Sequence, residues 1–339
     1  MHTYRLGFIG FGNVGKTLLA LLESRRALLE QRYDMTFVTT GISTLRHGSA
    51  VDLDGIDPAK ALAAGNLGEL SAFSIPQDVF EFIRLSQADV IFESTPVDYF
   101  SGQPAVDYLK AALSAGKHAI TANKGPVVHA YRELKTLAAE NGVSFFFESA
   151  VMDGAPIFSL FRETLPAARL DSIQGVLNST TNMILTRMEH GDSFERAVAY
   201  CQEIGIAETN PRGDIDGWDA AVKIAALVTV LMEFPLLPRD VNRQGIALLA
   251  PADIEMAKSQ GKRWKLVCSA HRSGENVTAR VAPEMVGMES HMFHAEGTTS
   301  IVRFETDVLG ALTIIEKDPG RETTAYGMLA DMLRALHRI

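Results

Sequence analysis

Cysteine is almost missing from the 339 residues. Cys201 and Cys268 are too few for a disulfide framework, and no CxxC or His/Cys cluster has zinc-ligand spacing. A reducing, cytoplasmic setting is the expectation. Long apolar runs are missing as well: Ala220 to Met232 contains Lys223 and is followed by Glu233, short of the roughly 20 residues a membrane span needs. No membrane partner is expected. Basic charge is in deficit, with 32 Lys and Arg against 41 Asp and Glu and no dense basic run, so the footprint of a nucleic-acid binder is excluded. Repeats and low-complexity segments are absent. Leu6 to Ile9 runs into glycines instead of a small-residue cleavage site, so no N-terminal targeting segment is expected.

What is present is an ordinary globular composition, 47% hydrophobic and 22% charged, long enough for roughly two domains at about 150 residues each. The first half alternates strands with helical patterns: Tyr4 to Ile9, then a helix Val14 to Glu30, then strand Met35 to Thr40. After a Gly/Asp-rich stretch from Gly41 to Gly68 come strand Ala88 to Thr95, helix Pro104 to Ala115, strand His118 to Thr121, helix Val128 to Glu140 and strand Val143 to Glu148. This predicts an α/β fold with a Rossmann-type doubly wound parallel sheet over residues 1–150. Residues 151–320 read as a second, α+β domain with an open sheet, with strands at Lys265 to Ala270, Val277 to Val281 and Ser300 to Glu305. A final helix over about 321–339 is expected to pack back on the first domain.

Gly10-Phe11-Gly12-Asn13-Val14-Gly15 is a GxGxxG motif directly after a strand and opening a helix. In that context Gly10 serves the tight turn, Gly12 lets a pyrophosphate approach the backbone, Gly15 allows helix and strand to pack, and the helix N-terminus faces the phosphates. An NAD-preferring site usually carries Asp or Glu at the end of the second strand. Here that strand runs into Thr39-Thr40-Gly41-Ile42-Ser43-Thr44 with Arg46 just beyond, which favours the 2'-phosphate of NADP over NAD unless Arg46 is simply a solvated loop residue. Ligands bind at carboxyl ends of strands in such sheets, so Glu93-Ser94-Thr95-Pro96 and Thr121-Ala122-Asn123-Lys124-Gly125-Pro126 should border the nicotinamide. Lys124 is then either a site residue or an exposed turn.

The densest polar constellation is Glu203 to Glu208 followed by Asp214, Asp216, Asp219 and Lys223. Asp219 and Lys223 are four apart on an otherwise apolar helix and share a face. Spacing allows two readings: a surface salt bridge, or a lysine beside a carboxylate poised for proton transfer.

Taken in order, the glycine loop, Asn123-Lys124, Glu148 to Ile157 (ESAVMDGAPI), Asn178 to Leu185 (NSTTNMIL), Gly205-Ile206-Ala207-Glu208 and Asp214 to Lys223 (DIDGWDAAVK) resemble homoserine dehydrogenase over nearly the whole chain. The resemblance is to the short form, without an appended regulatory domain, so feedback inhibition through such a domain is not expected. It implies reversible NAD(P)-dependent reduction of L-aspartate 4-semialdehyde to L-homoserine, on the route to threonine and methionine, by a homodimer. It further implies Lys223 as proton donor, with Asp219, Asp214 and Glu208 around the amino-acid substrate and Lys124 lining cofactor and substrate. Gly205 and Gly320 fall at glycines that approach the nicotinamide. Glu148, Val151, Asp153 and Ala155 fall where the family binds a monovalent cation, sodium by expectation, mainly through backbone carbonyls. Asp153-Gly154 replaces the usual Gly-Gly there.

Overall fold

A computed structural model describes residues 1–72 and 76–337. The chain divides into two compact units, Met1–Pro156 with Gly320–Ile339, and Ile157–Pro319.

The first unit is a six-stranded sheet in the order β3-β2-β1-β4-β5-β6, formed by β1 (His2–Ile9), β2 (Met35–Ser43), β3 (Ser49–Val51), β4 (Val90–Glu93), β5 (His118–Thr121) and β6 (Phe145–Phe146). All neighbours are parallel except β3, which folds back antiparallel on β2. This is the doubly wound order, and its reversal between β1 and β4 opens a crevice at the strands' carboxyl ends. Helices α1 (Asn13–Tyr33), α2 (Pro58–Ala63), α3 (Val79–Leu85), α4 (Ala105–Ser114) and α5 (Lys124–Glu140) make the crossovers. Leu18, Leu22 and Leu29 of α1, spaced four and seven apart, bury one stripe against Leu6 and Phe8 of β1 and Met328, Met332 and Leu333 of the C-terminal helix Arg321–Ala335. Each such leucine contributes about 1.5–3 kcal/mol on burial. The tail of the expected C-terminal helix, residues 338–339, lies outside the described residues.

Several boundaries differ from the sequence expectation. β2 continues through Gly41 to Ser43, because Gly41 is a packing glycine: a Cβ there would lie 2.6 Å from the Phe82 ring. The supposed irregular stretch after it holds β3 and α2. α3 was not foreseen. α5 starts at Lys124 and not Val128, since Asn123 caps it and Pro126 falls in the first turn, where its missing N–H costs nothing. The last strand of this half shrinks to Phe145–Phe146, and Glu148–Ala150 forms a 3-10 turn instead.

The second unit is another six-stranded sheet, β12-β11-β7-β9-β10-β8, built from β7 (Leu170–Val176), β8 (Asn242–Arg243), β9 (Arg263–Ser273), β10 (Asn276–Val286), β11 (Ser300–Thr306) and β12 (Gly310–Glu316). It is antiparallel apart from the β8–β10 pair. Helices α6 (Ser179–Glu189), α7 (Phe194–Glu203), α8 (Arg212–Ile215), α9 (Trp218–Leu231) and α10 (Pro251–Ser259) complete it. α9 is apolar nearly all round and lies against β9 and β10 with Ala220, Val222, Ile224, Leu227 and Val228 buried. Among the described residues no helix is long and apolar enough to cross a membrane.

Candidate active site

In the first unit the glycine loop joins β1 to α1. Gly10 has φ +87°, and a Cβ on it would lie 2.7 Å from the Ser94 carbonyl, so only glycine fits. A Cβ on Gly15 would lie 2.9 Å from the Gly10 carbonyl oxygen, the close helix–strand packing the motif requires. Gly12 is different: the space where its Cβ would sit is open. No side chain caps the first amides of α1, which therefore remain free to meet an anion. The loop fits a dinucleotide pyrophosphate, with Asn13, Val14 and Gly15 supplying the helix start.

This loop is braced from both sides. The Gly10 amide donates to the Ser43 carbonyl at 2.9 Å, and the Ser94 hydroxyl donates to the Gly10 carbonyl at 3.2 Å. Ser94 therefore shapes the loop, its hydroxyl already engaged there. Thr95 is committed likewise: its amide and hydroxyl donate to Glu93 at 2.7 and 2.5 Å, and the Thr121 hydroxyl donates to the other Glu93 oxygen at 2.5 Å. Glu93 is fully buried, and burial lifts its carboxyl above the ordinary range while these donors pull it back. Sequence reasoning missed this carboxylate as an organiser, since its partners come from two strand ends. Asn123 donates to the Thr95 carbonyl at 3.2 Å and accepts the Gly125 amide at 2.9 Å, which places Lys124 at the first position of α5, partly exposed. Arg46 sits exposed in the turn between β2 and β3, which Thr44 closes by hydrogen bonds with Gly48 and His47.

The segment expected to hold a cation also lies in this unit. The Glu148 carboxylate meets Arg334 at 3.4 Å, and the Glu148 amide donates to Asp331 at 2.7 Å. Asp153 accepts the Thr324 hydroxyl at 2.8 Å. Both carboxylates thus have partners inside the chain, and among the described residues no group of three or more His, Cys, Asp or Glu could hold a metal. Met152 and Asp153 both adopt positive φ, 53° and 50°, and Gly154 packs so tightly on the Thr323 carbonyl that a Cβ would clash. Val151 is buried and Ala155 closes the turn by donating its amide to the Met152 carbonyl. Both carboxylates here are thus engaged within the chain, which leaves the segment's main-chain oxygens as the groups that could meet a cation. Gly320 caps the C-terminal helix with extended backbone, which any residue could adopt.

The second unit gathers the charged groups. Lys223 Nζ lies 2.9 Å from Asp219 Oδ2 and donates to the Leu177 carbonyl at 2.6 Å. Asn178, at the end of β7 and capping α6, donates from Nδ2 to Asp214 at 2.6 Å and to Asp219 at 2.9 Å. Burial and the neighbouring Asp219 charge push the Asp214 carboxyl up to about 6. Asp214, Asp219 and Lys223 are thus assembled, and Asn178 is the member that residue spacing did not single out. Glu208 is not assembled with them: it is exposed, and among the described residues none bonds to its carboxylate. Gln202 instead holds the loop's backbone by donating to the Glu208 and Thr209 carbonyls at 3.1 Å. Gly205, φ +76°, sits exposed in the same loop with open space around it.

Comparison with known proteins follows the same division. A sequence model of the homoserine dehydrogenase NAD-binding domain matches residues 10–148, and one of homoserine dehydrogenase matches residues 156–333. An NAD(+)-dependent homoserine dehydrogenase of Pseudomonas canavaninivorans is 32% identical over 98% of this chain and 96% of its own. A homoserine dehydrogenase of Methanocaldococcus jannaschii is 34% identical, with 96% of each covered. The structure of a hyperthermophilic archaeal homoserine dehydrogenase in complex with NADPH superposes with TM-score 0.83 at 25% identity, covering 99% of this chain and 98% of that one.

Proposed function

The chain belongs to the homoserine dehydrogenase family of NAD(P)-dependent oxidoreductases, and from that premise we propose that Lys223 moves the proton in the interconversion of L-homoserine and L-aspartate 4-semialdehyde. When bound, the nicotinamide supplies or accepts the hydride. Reduction leaves negative charge on the aldehyde oxygen; an ammonium at that oxygen stabilises the charge and gives up the proton. The observation that carries this assignment is the placement of Lys223 between the Leu177 carbonyl and Asp219, with Asn178 joining Asp219 to Asp214. Asp219 fixes the amine; Asp214, with Glu208 on the nearby loop, supplies negative charge for the substrate's ammonium group. Lys124, Gly205 and Gly320 would line the cofactor or substrate. Steady-state oxidation of L-homoserine tests the reading: Lys223→Ala should lose at least about a hundredfold in kcat with cofactor KM nearly intact, whereas Lys124→Ala should disturb KM at least as much as kcat. The opposite pattern would reverse the two roles.

The dinucleotide we favour is NADP, because no Asp or Glu occurs from Met35 to Val51 and Arg46 stands in the following turn. For the cation, sodium by preference, we favour main-chain oxygens of the Glu148, Val151, Asp153 and Ala155 segment, since Arg334 and Thr324 already answer the two carboxylates. We place a homodimer contact at the edge strand β12, which carries no charge before Glu316 and exposes Ile315. Sedimentation of Ile315→Lys should then report monomer. A cytoplasmic location fits two unpaired cysteines.

A further inference from the structure

Three charged side chains in a partly buried cluster need something to fix which pairs with which. Two of them, Asp214 and Asp219, repel each other, and both could compete for Lys223. The groups that settle the competition come from two consecutive residues where β7 runs into α6: the Leu177 carbonyl accepts from Lys223, and the Asn178 amide donates to both carboxylates. Asn178 is buried, and its side chain has no latitude. Both Nδ2 hydrogens are used on the two aspartates, and Oδ1 accepts the Thr181 amide and the Thr181 hydroxyl, each at 2.8 Å. The flipped amide would set an oxygen against two carboxylates and an NH2 against an N–H, so the network defines one orientation.

Deepening the reading that Lys223 moves the proton, we infer that Asn178 is a positioning residue: its amide holds Asp214 and Asp219 in register, keeping Asp219 committed to Lys223 and leaving Asp214 to the substrate. Without the amide the two carboxylates share one proton or one cation, and Lys223 is drawn between them. Asn178 itself touches neither hydride nor proton. The groups facing this pair are Lys223 and Asp219 from α9, Asp214 from α8, Cys201 from α7 and Cys268 from β9. Burial pushes the two thiols up to about 11 and about 12, so neither changes charge near neutral pH.

Asn178→Asp isolates the amide, because aspartate caps a helix as well as asparagine does and α6 keeps its start. The expected result is a kcat for homoserine oxidation about 100-fold below wild type near pH 8, with dinucleotide KM within about twofold. A protonated carboxyl can again donate one hydrogen bond, so the deficit should shrink several-fold as pH falls to about 6. Asn178→Ala should show a deficit that does not shrink. A near-wild-type kcat for Asn178→Asp, or a deficit that is the same at every pH, overturns the inference. Should either variant fail to fold, Thr181→Val, which removes the hydroxyl that orients the amide, is expected to lower kcat by about fivefold at constant dinucleotide KM, and an unchanged kcat there overturns it equally. Lys223→Ala run in parallel separates the two ideas. If that variant keeps its kcat, the proton-donor reading fails whatever Asn178 does; if it is inactive while the Asn178→Asp deficit is flat with pH, only the positioning role fails.

Discussion

The two units build their polar sites from different materials. In the first, the groups that would meet a dinucleotide are backbone: the open position at Gly12, the free amides opening α1, the loop locked between Ser43 and Ser94. Its buried carboxylate Glu93 faces inward to tie strand ends together. In the second, the groups proposed to act are side chains of opposite charge, held by one amide and one carbonyl. A backbone site tolerates loss of almost any side chain but not a gained Cβ. A side-chain site tolerates nearby backbone changes but not loss of a charge or of the donor that sorts the charges.

That contrast breaks most visibly at Gly10. Gly10→Ala forces a positive φ on alanine and drives its Cβ into the Ser94 backbone, which together should cost on the order of 3 kcal/mol or more. Thermal unfolding should fall by several degrees and dinucleotide KM should rise more than tenfold, while Gly12→Ala, with open space around it, should keep wild-type stability and lose only cofactor affinity. Equal loss of stability in both would mean that the loop is not a backbone cradle.

A smaller effect tests the side chain proposed to choose between the dinucleotides. Arg46→Ala should weaken NADP by about 1.5–3 kcal/mol, roughly 10- to 150-fold, and leave NAD almost unchanged. Equal or better kcat/KM with NAD in the wild type would sink the NADP preference. Relatives do not decide the matter: the Pseudomonas canavaninivorans protein is NAD(+)-dependent by name, whereas the archaeal structure holds NADPH.

The same contrast explains what the residues disclosed. A glycine loop between strand and helix is a local requirement, so β1, α1 and the motif were legible, and β5 falls on the predicted bounds, His118 to Thr121. Gly41 read as a breaker because nothing local reveals that it makes room for Phe82. Lys124 stayed open between a site residue and an exposed turn, and the helix was expected only from Val128, although a proline in a first turn is harmless. α3 has only seven residues, too few for periodicity, although Asp78 announces it as an N-cap. In the second unit the i,i+4 spacing brought Asp219 and Lys223 together but left two readings open. Asn178 lies 41 positions from Asp219, and only the folded chain shows its amide touching two carboxylates. The Glu148–Arg334 contact, 186 apart, was equally out of reach.

The smallest effect sharpens the charged half of the comparison. Burial and Asp219 raise the Asp214 carboxyl from its ordinary 3.8 to about 6, so between those values the folded protein binds more proton than the unfolded chain does. Its contribution to stability is therefore present at acid pH and is lost as pH rises through about 6. Asp214→Asn keeps an oxygen to accept from Asn178 but removes the charge. Its melting temperature relative to wild type should climb between about pH 4 and pH 6.5 and then level off, by a total on the order of 1–2 kcal/mol or roughly 3–6 °C. Catalysis should move the other way, with homoserine KM raised where stability is gained. A melting difference that is constant with pH would place Asp214 in water rather than beside Asp219, and one that falls with pH would mean that Lys223 holds its charge more strongly than burial and Asp219 oppose it.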